Sequence, residues 1–220
     1  MPVHGSLLSP EHVLHLKSER LVLRRFTASD DELLVDLDSD PEVTRYLRPH
    51  VETTLEKVRN EVMPRVLGYY ERGVDVGVWA AHEIAGGAFI GWFFLRPDGS
   101  PPHDPELGYR LRRQAWGKGY GTEMSRVLVA HGFERLGYQR IMARAEIENT
   151  GSWGIMEKLG MTRERQVLEE GIPVVEYGID LQRWMAPSLI RSTGLWTSAW
   201  DCSCPRASSM SALGRSRQKV

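Results

Sequence analysis

This chain of 220 residues has little cysteine, no long apolar run and almost no net charge. Its two cysteines, Cys202 and Cys204, lie too close together to staple a fold, which argues against a disulfide framework and only weakly suggests a metal. No apolar run approaches the roughly 20 residues of a membrane-spanning helix, and the N-terminus lacks the features of a signal peptide. A formal charge of -1 gives no bulk attraction to nucleic acid or to a membrane. We therefore expect a cytoplasmic protein with no metal, no nucleic-acid partner and no membrane partner.

Apolar residues recur with the periods of strands and helices along residues 17–184. Alternating or continuous apolar segments predict strands over 19–26, 76–82, 88–95, 105–111, 140–147, 161–167 and 174–181. Helical spacing predicts helices around 33–37, over 53–72 with a bend or restart at Pro64, over 120–136 and over 149–159. The turn at 83–87 makes the second and third strands a hairpin. This order predicts one mixed α/β domain.

The two ends of the chain differ from this domain. We predict an N-terminal extension over residues 1–16, the folded domain over 17–184 and a Ser/Arg-rich tail over 185–220. The tail has five basic residues against one acid. Its composition is typical of disorder, and docking of Leu195, Trp196 and Trp200 onto the domain or a partner is the alternative.

Three glycines alternate at positions 117, 119 and 121, at the start of a predicted helix. Glycine is favoured where the backbone needs unusual angles or a close approach, and the start of a helix attracts anions. A nucleotide-binding P-loop is excluded because Lys118 precedes Gly119, and the dinucleotide fingerprint fails because Thr122 occupies its last glycine position. The pattern predicts a phosphate-binding loop, with a plain tight turn as the alternative.

Three ordered motifs resemble those of the GNAT superfamily of N-acetyltransferases. They are ERLxLRxxxxxD at 19–30, GYxLxxxxWGKGYxTE at 108–123 and NxxSxxxxEKxGM at 149–161. The resemblance is closest to the branch of the ribosomal-protein N-terminal acetyltransferases. It implies a mixed, mostly antiparallel twisted sheet of about six or seven strands, flanked by about four helices, with splayed central strands.

The resemblance also implies acetyl-CoA as co-substrate and no metal. The glycine loop would hold the pyrophosphate on backbone N–H groups. Backbone groups around Tyr109 to Arg112, on the preceding strand, would lie against the pantetheine arm. The implied cofactor-binding residues are Tyr109, Leu111, Arg112, Trp116, Gly117, Lys118, Gly119, Tyr120, Gly121, Thr122 and Asn149. Arg112, Arg113 and Lys118 are placed to balance the charge of the phosphates. Arg112 and Arg113 are equally typical of a solvated face, and Asn149 is also typical of a helix N-cap.

For catalysis, many relatives use a tyrosine as general acid at the position of Met156. Ser152 matches a serine proposed for that role in this branch, with helix capping as its alternative. Glu106 is the leading candidate for the general base, and an ordinary strand-end carboxylate is its alternative. Weaker candidates are Glu146, Glu148, His82, His103 and His131.

The free energy needed to deprotonate the amine indicates which kind of amine is the easier acceptor. A lysine amine with a pKa of about 10.4 is neutral in roughly one molecule in 2,500 at pH 7, a handicap of roughly 4.6 kcal/mol. An α-amino group with a pKa of about 7.7–8.0 loses only about 1.0–1.4 kcal/mol. We therefore expect a protein α-amino terminus as acceptor. The resemblance also implies a monomer or homodimer. The alternatives are a small-molecule amine acceptor or, in another class, a non-catalytic acyl-CoA sensor.

Overall fold

The computed structural model describes residues 16–47, 53–72, 77–97 and 104–186. The predictions for residues 1–15, for His103, for the two cysteines and for most of the tail lie outside the described residues. Leu16 is buried in the core, so the fold includes at least one residue of the predicted extension.

The described strands form one seven-stranded sheet in the order β1-β2-β3-β4-β5-β7-β6. Neighbouring strands are antiparallel except β4 and β5, which are parallel. Their bounds are β1 Leu21–Arg25, β2 Gly77–Glu83, β3 Phe89–Pro97, β4 Pro105–Leu111, β5 Arg140–Glu146, β6 Thr162–Glu169 and β7 Ile172–Asp180. The predicted strands and hairpin are confirmed.

Four principal helices accompany the sheet, together with shorter ones, as predicted. The bounds are α1 Asp31–Asp38, α2 Pro41–Thr44, α3 Leu55–Lys57, α4 Met63–Arg72, α5 Tyr120–Glu134, α6 Thr150–Lys158 and α7 Leu181–Met185. A π-helical turn, Val58–Val62, joins α3 to α4. The helical stretch changes its hydrogen-bond pattern next to Pro64, where a bend or restart was predicted, because the π-helical turn ends at Val62 and α4 begins at Met63.

The two faces of the sheet carry different cores. On one face, Phe93 and Leu95 of β3 pack with Met124 and Leu128 of α5 in the first core cluster. On the other face, Phe94 of β3 packs in a second cluster with residues of α1 and α4. Because successive residues of a strand point to opposite faces, each strand residue can be assigned to the α5 face or to the α1 face.

The end of the last strand differs from the prediction. β7 ends at Asp180, and residues 181–185 form α7 instead of extending the strand. The ring of Trp184 lies 6.0 Å from that of Phe133, and Arg183 Nε donates to the carbonyl of Gly160 at 2.8 Å. These contacts with distant parts of the chain hold the short helix against the domain.

Candidate active site

The glycine loop has the backbone geometry that the alternating glycines predict. Gly117 and Gly119 adopt left-handed conformations with φ of 71° and 81°, which side chains disfavour. Gly119 is the N-cap of α5, and both residues are exposed. The N–H groups of Tyr120, Gly121 and Thr122, in the first turn, have no partner within the helix. The loop therefore presents several donors and the positive end of the helix dipole at one place.

Gly121 has a different role from the other two glycines. It is buried in the first turn of α5, where an added Cβ would come within 2.5 Å of Ile155 Cδ1 on α6. The absence of a side chain lets α5 and α6 pack closely. The sequence motif alone suggests three equivalent glycines, whereas the structure assigns two to loop conformation and one to helix packing.

Arg20, which immediately precedes β1, is hydrogen-bonded to the glycine loop and to the first turn of α5. Arg20 donates from its backbone N–H and Nε to the two carboxylate oxygens of Glu123 at 2.9 and 2.7 Å. Its Nη2 donates to the carbonyl of Lys118 at 3.0 Å. Burial by itself raises the pKa of the Glu123 carboxyl, but hydrogen bonds from Ser18 and Arg20 outweigh it and hold the pKa below its usual value. Sequence reasoning missed both residues of this clamp, although both lie within the quoted motifs.

The aromatic residues around the loop are engaged in structural contacts. Tyr120 is buried beneath the Arg20 guanidinium, 4.5 Å from the ring centre, and its hydroxyl donates to Glu83 at 2.7 Å. This hydrogen bond, followed by burial, raises the pKa of the Tyr120 phenol. Trp116 donates its indole N–H to the carbonyl of Leu111 at 2.8 Å and remains 45% exposed. Their roles toward a cofactor stay predictions.

The two arginines that precede the loop, which we expect to balance the phosphate charge, each pair with an acidic side chain. Arg112 pairs with Asp36 of α1, and Arg113 Nε lies 3.0 Å from Asp40. The backbone N–H of Arg112 donates to the carbonyl of Ile90. Lys118 is exposed at the tip, with Nζ 5.8 Å from the Tyr120 ring centre. The cofactor roles of Arg112 and Lys118 stay predictions.

The parallel strands β4 and β5 part soon after they begin. Their ladder contains one pair, Glu106 with Met142, whereas β3 and β4 pair from Pro97 with Pro105 to Gly91 with Leu111. Because Arg112 bonds to β3 and backbone groups alternate along a strand, the N–H and C=O of Tyr109 point toward β5. The splayed central strands that the resemblance implies are present in this structure.

Tyr109 reaches across this gap to the first turn of α6. Its hydroxyl donates to the carbonyl of Ser152 at 2.8 Å, and Ser152 Oγ donates to the tyrosine oxygen at 3.3 Å. Asn149 Oδ1 accepts the backbone N–H of Ser152 at 3.1 Å, so the capping role of Asn149 is present. Its additional role toward a cofactor stays a prediction. Sequence reasoning assigned Tyr109 a backbone role and did not find its side-chain bond.

Glu106 lies on the opposite face, at the last paired position before the strands part. Its carboxylate is 3.4 Å from Arg144 Nε, and Arg144 also pairs with Glu169 at 3.0 Å. The Glu106 side chain is 14% exposed. The predicted base is therefore held beside a guanidinium at the gap, while its catalytic role stays a prediction. Of the weaker candidates, Glu146 ends β5, and His82 is buried on β2.

The described residues contain no group of three or more His, Cys, Asp or Glu side chains arranged to hold a metal ion. Within the same ranges, no helix has the length and apolar character that crossing a membrane requires.

The model of the acetyltransferase (GNAT) domain family matches residues 20–162. This chain belongs to the GNAT acetyltransferase family. It is 31% identical over 153 residues to the uncharacterized N-acetyltransferase p20 of Bacillus licheniformis, covering 68% of this chain and 83% of p20. It is 28% identical over 214 residues to the FsC-acetyl coenzyme A-N(2)-transacetylase of Aspergillus fumigatus, covering 87% of each. A GNAT acetyltransferase structure from Bacillus anthracis superposes with a TM-score of 0.62 at 26% identity, covering 75% of this chain and 97% of the other.

These relationships make the protein an acetyl-CoA-dependent N-acetyltransferase. The residues present fit that co-substrate because the left-handed glycines expose a helix start and β4 parts from β5. The loop would hold the phosphates, and the backbone of β4 would hold the pantetheine amides. Acetyl-CoA supplies an activated acetyl group when bound. The family supports the enzyme over the non-catalytic sensor.

Proposed function

We propose that this enzyme acetylates the α-amino group of a protein N-terminus, as in the ribosomal-protein branch. The observation that carries this proposal is the position of Glu106 at the point where β4 and β5 part. A carboxylate is a weak base, and the amine most easily deprotonated by a weak base is an α-amino group. We place the reaction in the cytoplasm, as predicted, and retain a monomer or homodimer.

The roles that we propose for the individual groups follow from the geometry of β4. Glu106, directly or through one water, takes the proton that the amine loses. The backbone N–H of Tyr109, which points toward β5, donates to the oxygen that gains charge during transfer. The first turn of α5 and Lys118 hold the phosphates.

A small-molecule amine is the second candidate acceptor, and two observations favour it. The relative aligned over 214 residues is named for N(2)-transacetylation. On the α1 face, Arg140 is surrounded by Asp104, Glu164 and Asp180, so acids outnumber the base there. An excess of negative charge attracts cationic amines.

Mass spectrometry of a mixed amine pool distinguishes the two candidates. The pool contains peptides with free N-termini, N-blocked lysine peptides, polyamines and aminoglycosides, incubated with acetyl-CoA. The proposal expects one acetyl group gained by the free N-termini. Acetylation confined to polyamines or aminoglycosides would contradict the proposal and show that the acceptor is a small-molecule amine.

The matched variants are Lys118→Gln at the loop and Lys158→Gln on the exposed end of α6. Each removes one positive charge from an exposed side chain. We expect Lys118→Gln to raise the KM for acetyl-CoA several-fold and Lys158→Gln to leave it unchanged, because only the first lies beside the proposed phosphate site. Equal behaviour of the two variants would contradict the placement of the phosphates.

A further inference from the structure

The side chain at the position of the usual general acid has no proton to give. Met156 is 1% exposed and packs into the first core cluster beneath α6. Ser152, one turn earlier, has a hydroxyl that donates to Tyr109. This hydrogen bond connects α6 to a second hydroxyl group, that of Tyr109 on β4.

Tyr109 lies between β4 and α6. Its ring is 5.9 Å from that of Phe93 on the α5 face, and its hydroxyl crosses to the carbonyl of Ser152. Since β4 and β5 pair only at Glu106 and Met142, the phenol spans the region between β4 and α6 beyond the point of parting. This is the gap assigned above to the pantetheine arm.

Glu106 and Tyr109 are three residues apart on the same strand, so their side chains point to opposite faces. Glu106 meets Arg144 on the α1 face, and Tyr109 meets α6 on the α5 face. A proton acceptor and a proton donor thus stand on the two sides of one gap. The transfer of an acetyl group from sulfur to nitrogen requires one of each.

We propose that Tyr109 is the catalytic acid that protonates the leaving sulfur, with Ser152 as its positioning residue. This inference rests on the transferase reaction described above. As the bond between the amine nitrogen and the acetyl carbon forms, the carbon–sulfur bond breaks and its electron pair goes to sulfur. Tyr109 Oη gives its proton to that sulfur, which yields a neutral thiol. Ser152 Oγ then donates to the phenolate until solvent returns the proton, while Glu106 carries away the proton lost by the amine.

The environment of Tyr109 keeps this proton in place before the reaction. Burial raises the pKa of the Tyr109 phenol above its usual range, and the hydrogen bond with Ser152 offsets only part of that rise. The phenol is therefore protonated throughout the neutral pH range.

Tyr109→Phe tests the proposal because it keeps the ring against Phe93 and removes only the hydroxyl. We expect kcat to fall at least about 100-fold, as for loss of a general acid, with the KM for acetyl-CoA changed less than about threefold. Tyr138→Phe, at a half-buried tyrosine next to Gly132, is the control and should leave both constants unchanged. Ser152→Ala should lower kcat less than Tyr109→Phe, because the Ser152 carbonyl still accepts from Tyr109.

A second readout uses coenzyme A bound to the enzyme without an amine. The thiolate is followed by its ultraviolet absorbance as pH rises. A donor at the sulfur stabilises the thiolate, so the pKa of the bound thiol should be lower in the wild type than in Tyr109→Phe. The same thiol pKa in both proteins would show that the hydroxyl is remote from the sulfur and would overturn the proposal.

Thermal unfolding of each variant verifies its fold. If Tyr109→Phe does not fold, 3-fluorotyrosine at position 109 retains the contacts and makes the phenol a stronger hydrogen-bond donor, so the pKa of the bound coenzyme A thiol should fall below its value in the wild type. An unchanged thiol pKa would overturn the proposal, as would a Tyr109→Phe enzyme within threefold of wild type or a greater loss in Ser152→Ala. No product with the wild type and any amine would instead contradict the proposed function.

Discussion

Glu106 and Tyr109 project from opposite faces of β4 at the place where β4 separates from β5. The carboxylate contacts Arg144, and the phenol contacts Ser152. An amine approaching along the α1 face would meet the carboxylate first, and a sulfur leaving toward the α5 face would meet the phenol. In the proposed mechanism, one strand thus supplies the groups for both proton transfers.

Replacement of Glu106 by Gln should slow acetyl transfer by about 100-fold or more in kcat, because a general base contributes that much to rate. The control is Glu169→Gln, which removes the other carboxylate that Arg144 contacts. Steady-state kinetics at pH 7 with the identified amine give the kcat of both variants. If the two variants lose activity equally, the loss reflects the position of Arg144 and not base catalysis.

The clamp between Arg20 and Glu123 should stabilise the loop. Glu123→Gln is expected to lower the free energy of unfolding by about 1 kcal/mol at pH 7, because the hydrogen-bonded ion pair is partly exposed to solvent. The pKa of Glu123 is lowered in the folded state, so this stabilisation is present above the unfolded pKa of about 4.3 and is lost as pH falls through the folded value.

Urea unfolding at pH 7 and near pH 4 measures the Glu123 effect. The difference between wild type and Glu123→Gln should shrink in acid, and exposed Glu61→Gln serves as control. A difference that stays constant with pH would show that the carboxylate charge does not stabilise the fold.

The contact between Gly121 and Ile155 gives a test of helix packing. Gly121→Ala would place its Cβ against Ile155 Cδ1, so we expect overpacking to cost about 1–3 kcal/mol of stability. Ile155→Val removes that carbon atom, and the double variant should recover part of the loss. Gly154 lies on α6 next to Ile155, and no atom lies within 4 Å of the Cβ that Gly154→Ala would add. This control variant should therefore be neutral or stabilising. Additive losses in the double variant would contradict the contact.

His82 should make stability depend on pH below about 6.5, the pKa of histidine in the unfolded chain. Burial lowers the pKa of His82 despite the hydrogen bond of Nδ1 with the Gly87 carbonyl. The unfolded state therefore takes up a proton below its pKa of about 6.5 while the folded state does not, and stability falls as pH drops, by at most about 1.4 kcal/mol per pH unit.

His82→Asn keeps an amide N–H near the position of Nδ1 and removes the titration. The unfolding free energies of wild type and His82→Asn, measured from pH 7.5 to 5.5, should converge or cross as pH falls. Parallel curves would show that His82 titrates alike in the folded and unfolded states.

Several features could be predicted because neighbouring residues encode them. The hairpin of β2 and β3 follows from two apolar runs around a glycine-containing turn. The left-handed loop before α5 follows from Gly117 and Gly119, since few other residues adopt that conformation. The motif spacing was enough to indicate the family and the order of strands and helices.

Other features depend on residues that are distant in the chain. The bond from Arg20 to Glu123 joins positions 103 residues apart, and that from Tyr109 to Ser152 spans 43. Arg112 was predicted to face phosphate, and the fold brings Asp36 to it. Periodicity specifies which face of an element is apolar, but it does not specify which polar side chains on different elements meet.

The sequence by itself determined the domain type, the glycine loop and the position of the missing tyrosine at Met156. Only the tertiary structure decided that Met156 is enclosed in the core and that Tyr109 faces α6 across the parted strands. The physical reason is that local preferences act over a few residues, whereas a site is assembled by packing the sheet against its helices.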